Sequence, residues 1–256
     1  MGGPAEGSTP GVHEHVADHP GRRRATAVAV TRASDPAGAI LRLPGRPHLL
    51  PRRSARPCID LQDVVGIAPR LLWRINRGQW DLLGFEDING RHADYAPGSA
   101  DLPLIADAMR RLGEIPCPDL PLKKMSDRLR SYVDDTAVLA SFDGDCLLHT
   151  DWNHANVLVT DRARLVDWAW ASRGAGWIDP ALWVIWLISC GHTPAEAEQW
   201  ASRVPAWAGP PPEAVDAFAA ASARLWDEIA GADPDEWTRR IQSAASTWST
   251  HRRTAG

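Results

Sequence analysis

The sequence predicts a mixed α/β chain of the α+β kind, with a small sheet-forming region ahead of a larger helical one. Three observations carry that expectation. Short apolar runs bounded by turn residues lie at 26–31, 39–43, 68–75 and 80–85. Apolar residues at helical spacing, with capping signals, occupy most of the chain from Ser99 onward. Within that helical part, residues 156–168 form two further strand-like runs around a polar turn, with Asn156 at one end and Asp167 at the other.

Composition bounds the reading. The 256 residues suit one large domain or two lobes. Apolar content of 44% supports a full core, and charged content of 23% is ordinary for a soluble protein. A net charge of −4 lacks the basic face of a nucleic-acid binder. The four cysteines (58, 117, 146 and 190) show no C-x-x-C and read as reduced thiols of a cytoplasmic protein. The first residues hold no apolar signal core. The longest apolar run, 181–190, is too short to span a bilayer, so no membrane partner is expected. Most of the thirteen tryptophans lie at or beyond Trp152, where they suit the core of a helical lobe.

Taken in order, residues 1–24 are rich in Gly, Pro, His and Arg without periodicity and read as a disordered tail. Strands are expected over 26–31 and 39–43, joined by a turn that has Ser34 and Gly38 but no G-x-G. Four prolines in 44–58 exclude a helix or central strand there. Only 58–65, with Asp60 and Asp63, has room for a turn or two of helix. Residues 1–58 hold nine Arg and four acids, +5, leaving −9 for the remainder, and this Arg/Pro-rich stretch reads as a degenerate lobe or a damaged coding frame. A strand over 68–75, a turn at 76–78 and a partner strand over 80–85 make a hairpin, with Gly78 supplying the positive φ. Residues 86–90 then leave the sheet.

Ser99 and Asp101 start a helix through Leu112, with Leu102, Leu104, Ile105, Met109 and Leu112 on one side. A linker over 116–121 leads to a second helix over 122–133. Its Lys123, Lys124, Arg128 and Arg130 read as a solvated face. Residues 174–179 form a loop, and 180–190, apolar all round, form a buried helix. Thr193 to Glu196 is a capping box with proline at the first helical position, opening a helix to Val204. Two amphipathic helices follow over 211–229 and 233–252.

The chemistry sits in 146–168, CLLHTDWNHANVLVTDRARLVDW. His149, Asp151 and Asn156 have the spacing H-x-D-x4-N, and Asp167 ends the strand-like run that follows. In an antiparallel hairpin the outer ends lie side by side, so Asn156 and Asp167 offer two oxygen donors to one point. That set suits Mg²⁺, a hard cation that keeps several waters and needs few protein ligands. D-x4-N is also the spacing of a kinase catalytic loop, in which the Asp takes the proton of the attacking hydroxyl and the Asn holds metal. Asp161 and Asn153 read as turn or cap residues, His149 as a prop for the loop, and His154 as exposed. A metal-hydrolase reading lacks the H-x-x-x-H or H-E-x-x-H it would need.

These residues resemble the phosphotransferase family of aminoglycoside kinases, choline kinases and their relatives. That family writes the loop as H-G-D-x-H-x-x-N and the metal strand as I-D-W/F; this chain has His149-Thr-Asp151-Trp-Asn-His-Ala-Asn156 and Val166-Asp167-Trp168. The resemblance is strongest over 146–180, extends over 68–256, and is poor before Pro69. It implies a protein-kinase-like two-lobe fold, with a nucleotide-binding sheet lobe over 25–88 and a helical catalytic lobe over 89–256. It implies ATP and Mg²⁺ as cofactors, with Asp151 as catalytic base and Asn156 and Asp167 as metal ligands. Glu86 and Ile88 then bind the adenine edge through backbone groups. Arg42 takes the place of the phosphate lysine, although it reads equally as an edge-strand arginine in solvent. Asp179-Pro-Ala resembles G-D-P-A-x-D, whose acids brace the catalytic loop; Trp183 replaces the second acid and puts that brace in question.

The function expected is phosphorylation of a small-molecule hydroxyl. Acids on the last helices suit a cationic acceptor such as an aminoglycoside, or are simply solvated helix faces. The rival reading is a pseudokinase-like module that binds a nucleotide or small ligand without turnover. A kinase acting on proteins is disfavoured, because no A-P-E stands between Asp167 and the next helix.

Overall fold

The computed structural model describes residues 27–32, 39–42, 66–77 and 80–255. The expected tail over 1–24, the proline-rich run over 44–58, Asp60, Asp63 and the turn glycine Gly78 lie outside the described residues.

The first layer is a four-stranded antiparallel sheet. It comprises β1 (Ala27–Arg32), β2 (Ala39–Arg42), β3 (Leu71–Arg77) and β4 (Trp80–Phe85), in the order β2-β1-β4-β3. The first strand of the β3–β4 hairpin runs two residues further than the sequence suggests, with Arg77 opposite Trp80, because Asn76 and Arg77 continue the ladder. A register shift between Leu71 and Trp73 marks a bulge, and there the Trp73 indole lies over Gly84. A Cβ on Gly84 would stand 2.1 Å from that ring, so the close approach requires glycine.

The chain leaves the sheet through 86–90, which holds no regular structure. The short strand β5 (Arg91–His92) and helix α1 (Leu102–Gly113) follow. Of the expected apolar side of α1, Leu102, Ile105, Met109 and Leu112 are in the core, and Leu104 is half-buried at its margin. The helix expected over 122–133 is a correction. There the chain makes strand β6 (Lys123–Lys124), the five-residue α2 (Met125–Leu129) and a 3-10 turn over Arg130–Tyr132. Lys124 is extended and pairs with Arg173, which takes the first turn away from the helix.

Two small sheets carry the central stretch. β7 (Cys146–Leu148) pairs with β10 (Ser172–Gly174), which also pairs with β6. β8 (Val157–Val159) and β9 (Ala163–Leu165) form the expected hairpin, and β5 adds to its outer edge. Helices α3 (Ile178–Ser189), α4 (Pro194–Ala201), α5 (Pro212–Ala230) and α6 (Glu236–Ala255) complete the helical layer. The Thr193–Glu196 capping box opens α4 with both of its hydrogen bonds in place. The core joins α1, α3, α5 and α6 to the central strands, with Trp152, Trp183 and Trp248 among its fully buried side chains. No helix among the described residues is long and apolar enough to cross a membrane.

Candidate active site

The site is built on the outer end of the β8–β9 hairpin. Val157 faces Leu165, Leu158 faces Arg164 and Val159 faces Ala163. One bond beyond that ladder, the Val166 N–H donates to the Asn156 carbonyl at 2.9 Å. Asn156 ends a 3-10 turn one position before β8, and Asp167 follows Val166 two positions beyond β9, so both stand outside their strands rather than within them. The hairpin therefore brings the two together at one end, as the sequence predicts. Asp167 has φ of +60° and caps the 3-10 turn Trp168–Trp170 through the Ala169 N–H. An acid tolerates this left-handed conformation better than most residues.

Asp151 comes to the same end along the loop after β7. The Asn156 side-chain amide donates to the Asp151 carbonyl at 3.3 Å, which ties the two halves of the motif. Asn156 is buried, and with its NH₂ committed to Asp151 its Oδ1 remains as an oxygen donor.

His149 is a prop, as expected. It is fully buried, and its edge meets Trp168 at 4.7 Å and Trp152 at 5.8 Å between ring centroids. Nε2 lies 3.0 Å from the Val166 carbonyl and Nδ1 accepts from the Asp151 N–H at 3.3 Å. A carbonyl can only accept, so Nε2 carries the proton and the ring is neutral. Burial lowers its pKa, against the opposing charge of Asp179 and its bond to Val166. The ring thus links the segment entering Asp151 to the residue preceding Asp167.

Asp179, at the start of α3, holds the loop from the other side. Its two carboxylate oxygens accept the N–H groups of His149 and Thr150, each at 2.9 Å. The brace is complete without a second acid, since one carboxylate satisfies both donors. Burial pushes the Asp179 carboxyl up, and the two backbone bonds oppose it. Trp183 is fully buried core instead, edge-on to Tyr95 at 6.2 Å, and its Nε1 has no partner among the described residues.

The segment 86–90 presents a particular pair of backbone groups. The Glu86 N–H donates to the Arg70 carbonyl at 2.9 Å, and the Ile88 carbonyl accepts from the Gly90 N–H at 2.8 Å. Among the described residues the Glu86 carbonyl and the Ile88 N–H have no backbone partner, which leaves one acceptor and one donor in this pair. The Glu86 side chain accepts from Arg164 of β9 at 3.1 Å and ties this segment to the β8–β9 hairpin. Arg42 is on the edge strand β2, in the row of Ala27 and Phe85, with β1 between it and β4; its side chain lies outside the described residues.

Asn153, Asp161 and His154 are where the sequence puts them: Asn153 caps the 3-10 turn, Asp161 is an exposed turn residue, and His154 is exposed. Five of the acids of the last helices are engaged within the protein. Glu196 closes the capping box, Glu198 and Asp216 pair with Arg252, Glu228 accepts from Tyr132, and Asp235 from the Thr238 N–H. Sequence reasoning missed Arg128. It is not part of a solvated face: its Nη1 donates to Thr150, the Trp170 carbonyl and Ser172.

The fold is a kinase-like two-lobe architecture, and comparison with a solved structure agrees. Choline kinase LicA from Streptococcus pneumoniae superposes with a TM-score of 0.51 at 15% identity, over 75% of this chain and 77% of that one. An aminoglycoside phosphotransferase from Alicyclobacillus acidocaldarius matches with a TM-score of 0.49 at 13% identity, over 77% and 80% of the two chains. A choline/ethanolamine kinase family protein from Mesorhizobium loti gives 0.49 at 16%, over 76% and 75%. No protein-family model and no curated protein matches the sequence.

Proposed function

We propose that this chain is a small-molecule kinase that transfers the terminal phosphoryl group of ATP to an alcohol. The observation that carries this reading is the hairpin end itself: the Asp151 loop, Asn156 and Asp167 are joined there by His149 and backed by Asp179. Asp151 orients the acceptor hydroxyl and takes its proton. Charge stabilisation and positioning supply most of the rate in phosphoryl transfer, so few side chains are needed.

The donor set fits Mg²⁺. Asn156 Oδ1 and the Asp167 carboxylate are hard oxygen ligands, and no salt bridge to Asp167 occurs among the described residues. Mg²⁺ keeps several waters and takes phosphate oxygens, so two protein ligands would suffice to hold it. When bound, Mg²⁺ neutralises charge on the transferred phosphoryl group. The Glu86 carbonyl and Ile88 N–H match the donor–acceptor edge of adenine. The acceptor is a small-molecule alcohol, and aminoglycosides, amino alcohols and sugars are the panel to screen. A second reading, nucleotide binding without turnover, is supported by the position of Arg42 on an edge strand, with another strand between it and β4.

Calorimetric titration of MgATP tests the proposal. Binding by the wild type that is lost in Asp167→Ala, with the circular dichroism spectrum unchanged, is expected. Equal affinity in the two proteins would remove Asp167 from the site.

A further inference from the structure

Thr150, between His149 and Asp151, has φ of +61°. A β-branched residue is an outlier in this left-handed region, because its Cβ crowds the adjacent carbonyl. Glycine reaches the same backbone conformation without that crowding. The strained conformation persists only where surrounding contacts over-determine it, and at Thr150 those contacts come from the side chain as well as the backbone. Besides the N–H bond to Asp179, the hydroxyl donates to the Trp170 carbonyl at 2.6 Å. The same oxygen accepts from Arg128 Nη1 at 2.8 Å. Arg128 Nη1 also reaches the Trp170 carbonyl at 3.0 Å and Ser172 Oγ at 2.7 Å, and its guanidinium lies 5.3 Å from the centroid of the Trp170 ring.

Connectivity gives these bonds their meaning. Thr150 adjoins Asp151, and Trp170 lies three residues beyond Asp167 in the same 3-10 turn that Asp167 caps. One hydroxyl therefore joins the loop of the base to the loop of the metal ligand. Arg128 reaches that joint from α2. His149 makes a similar link on the opposite side, through Val166. We infer that Thr150 and Arg128 form a clamp that sets the Asp151 loop against the Asp167 loop, as positioning residues for phosphoryl transfer. This rests on the reading of Asp151 as base and Asp167 as metal ligand.

The clamp predicts that its loss slows turnover and leaves nucleotide affinity nearly intact, because neither side chain is a nucleotide ligand. Misplacement of reacting groups by about 1 Å costs roughly 10²-fold in rate. The variants are Thr150→Val, which keeps the β-branch and removes the hydroxyl, Thr150→Ser, which keeps the hydroxyl, and Arg128→Met. Two readouts are paired: hydrogen–deuterium exchange of the peptides covering 147–156 and 166–173, and ADP release from MgATP alone with its calorimetric affinity. In Thr150→Val and Arg128→Met, exchange should accelerate in both peptides and not in α5 or α6. ADP release should fall about 10- to 100-fold while MgATP affinity stays within about twofold, and Thr150→Ser should restore both readouts. Unchanged exchange in Thr150→Val overturns the clamp whatever the kinetics. Faster exchange with wild-type turnover overturns its positioning role. A wild-type protein that binds no MgATP overturns the proposed function instead, and the exchange result still decides whether the two loops are clamped.

Discussion

Asp179 offers a direct measure of how much of the site's order comes from one buried carboxylate. Its two oxygens are acceptors for the His149 and Thr150 N–H groups, and it is 4% exposed. Alanine at this position leaves two buried donors unpaired, each at a cost of about 1–3 kcal/mol. Part of that cost is offset, since deletion also removes a charge whose burial is itself unfavourable, as the raised pKa of Asp179 records. The net expectation for Asp179→Ala is a loss of about 2–4 kcal/mol. Asparagine keeps one acceptor and should lose about half as much. Urea unfolding followed by far-ultraviolet circular dichroism reads this as a lower midpoint at unchanged slope. A value for Asp179→Ala within about 0.5 kcal/mol of wild type, the range of an ordinary surface substitution, would refute the bracing argument.

Two further predictions concern the same framework. His149 is held neutral with a pKa below its ordinary 6.5, so the unfolded chain binds the extra proton first as pH falls. Its contribution is present above that value and is lost below it, by up to about 1.4 kcal/mol per pH unit until the folded ring protonates. His149→Gln, which cannot titrate, should show a flatter stability profile between about pH 7 and pH 5; parallel profiles would contradict the neutral ring. Gly84→Ala should destabilise the sheet by about 1–3 kcal/mol, because its new methyl group must displace the Trp73 indole. A midpoint equal to wild type in urea would show that the ring is free to move.

What the sequence made legible is what local pattern encodes. The helix spacing of Leu102 to Leu112, the Thr193–Glu196 box and the polar turn between β8 and β9 each carry their own signal over a few residues, and each appears in the structure. Asn156 and Asp167 were legible for the same reason, since a hairpin brings its own ends together. Arg128 was not. Its partners Thr150, Trp170 and Ser172 lie 22 to 44 residues away, and in sequence it stands among charged neighbours that do face solvent. Trp183 misled in the opposite direction. A missing second acid suggested a broken brace, but a carboxylate has two oxygens, and Asp179 uses both. The break of the predicted helix at Lys124 was also invisible, because β6 exists only through its pairing with β10, about fifty residues on.

The central claim, that Asp151 is the base of a phosphoryl transfer, is tested most directly by Asp151→Asn. Asparagine keeps the size and shape of the side chain and removes its basicity. Positioned proton transfer is worth roughly 10²–10⁴-fold in rate. With an acceptor found by screening ADP release over aminoglycosides, amino alcohols and sugars, the variant should bind MgATP within about twofold of wild type and lose turnover by that factor. Turnover at the wild-type level in Asp151→Asn would contradict the account.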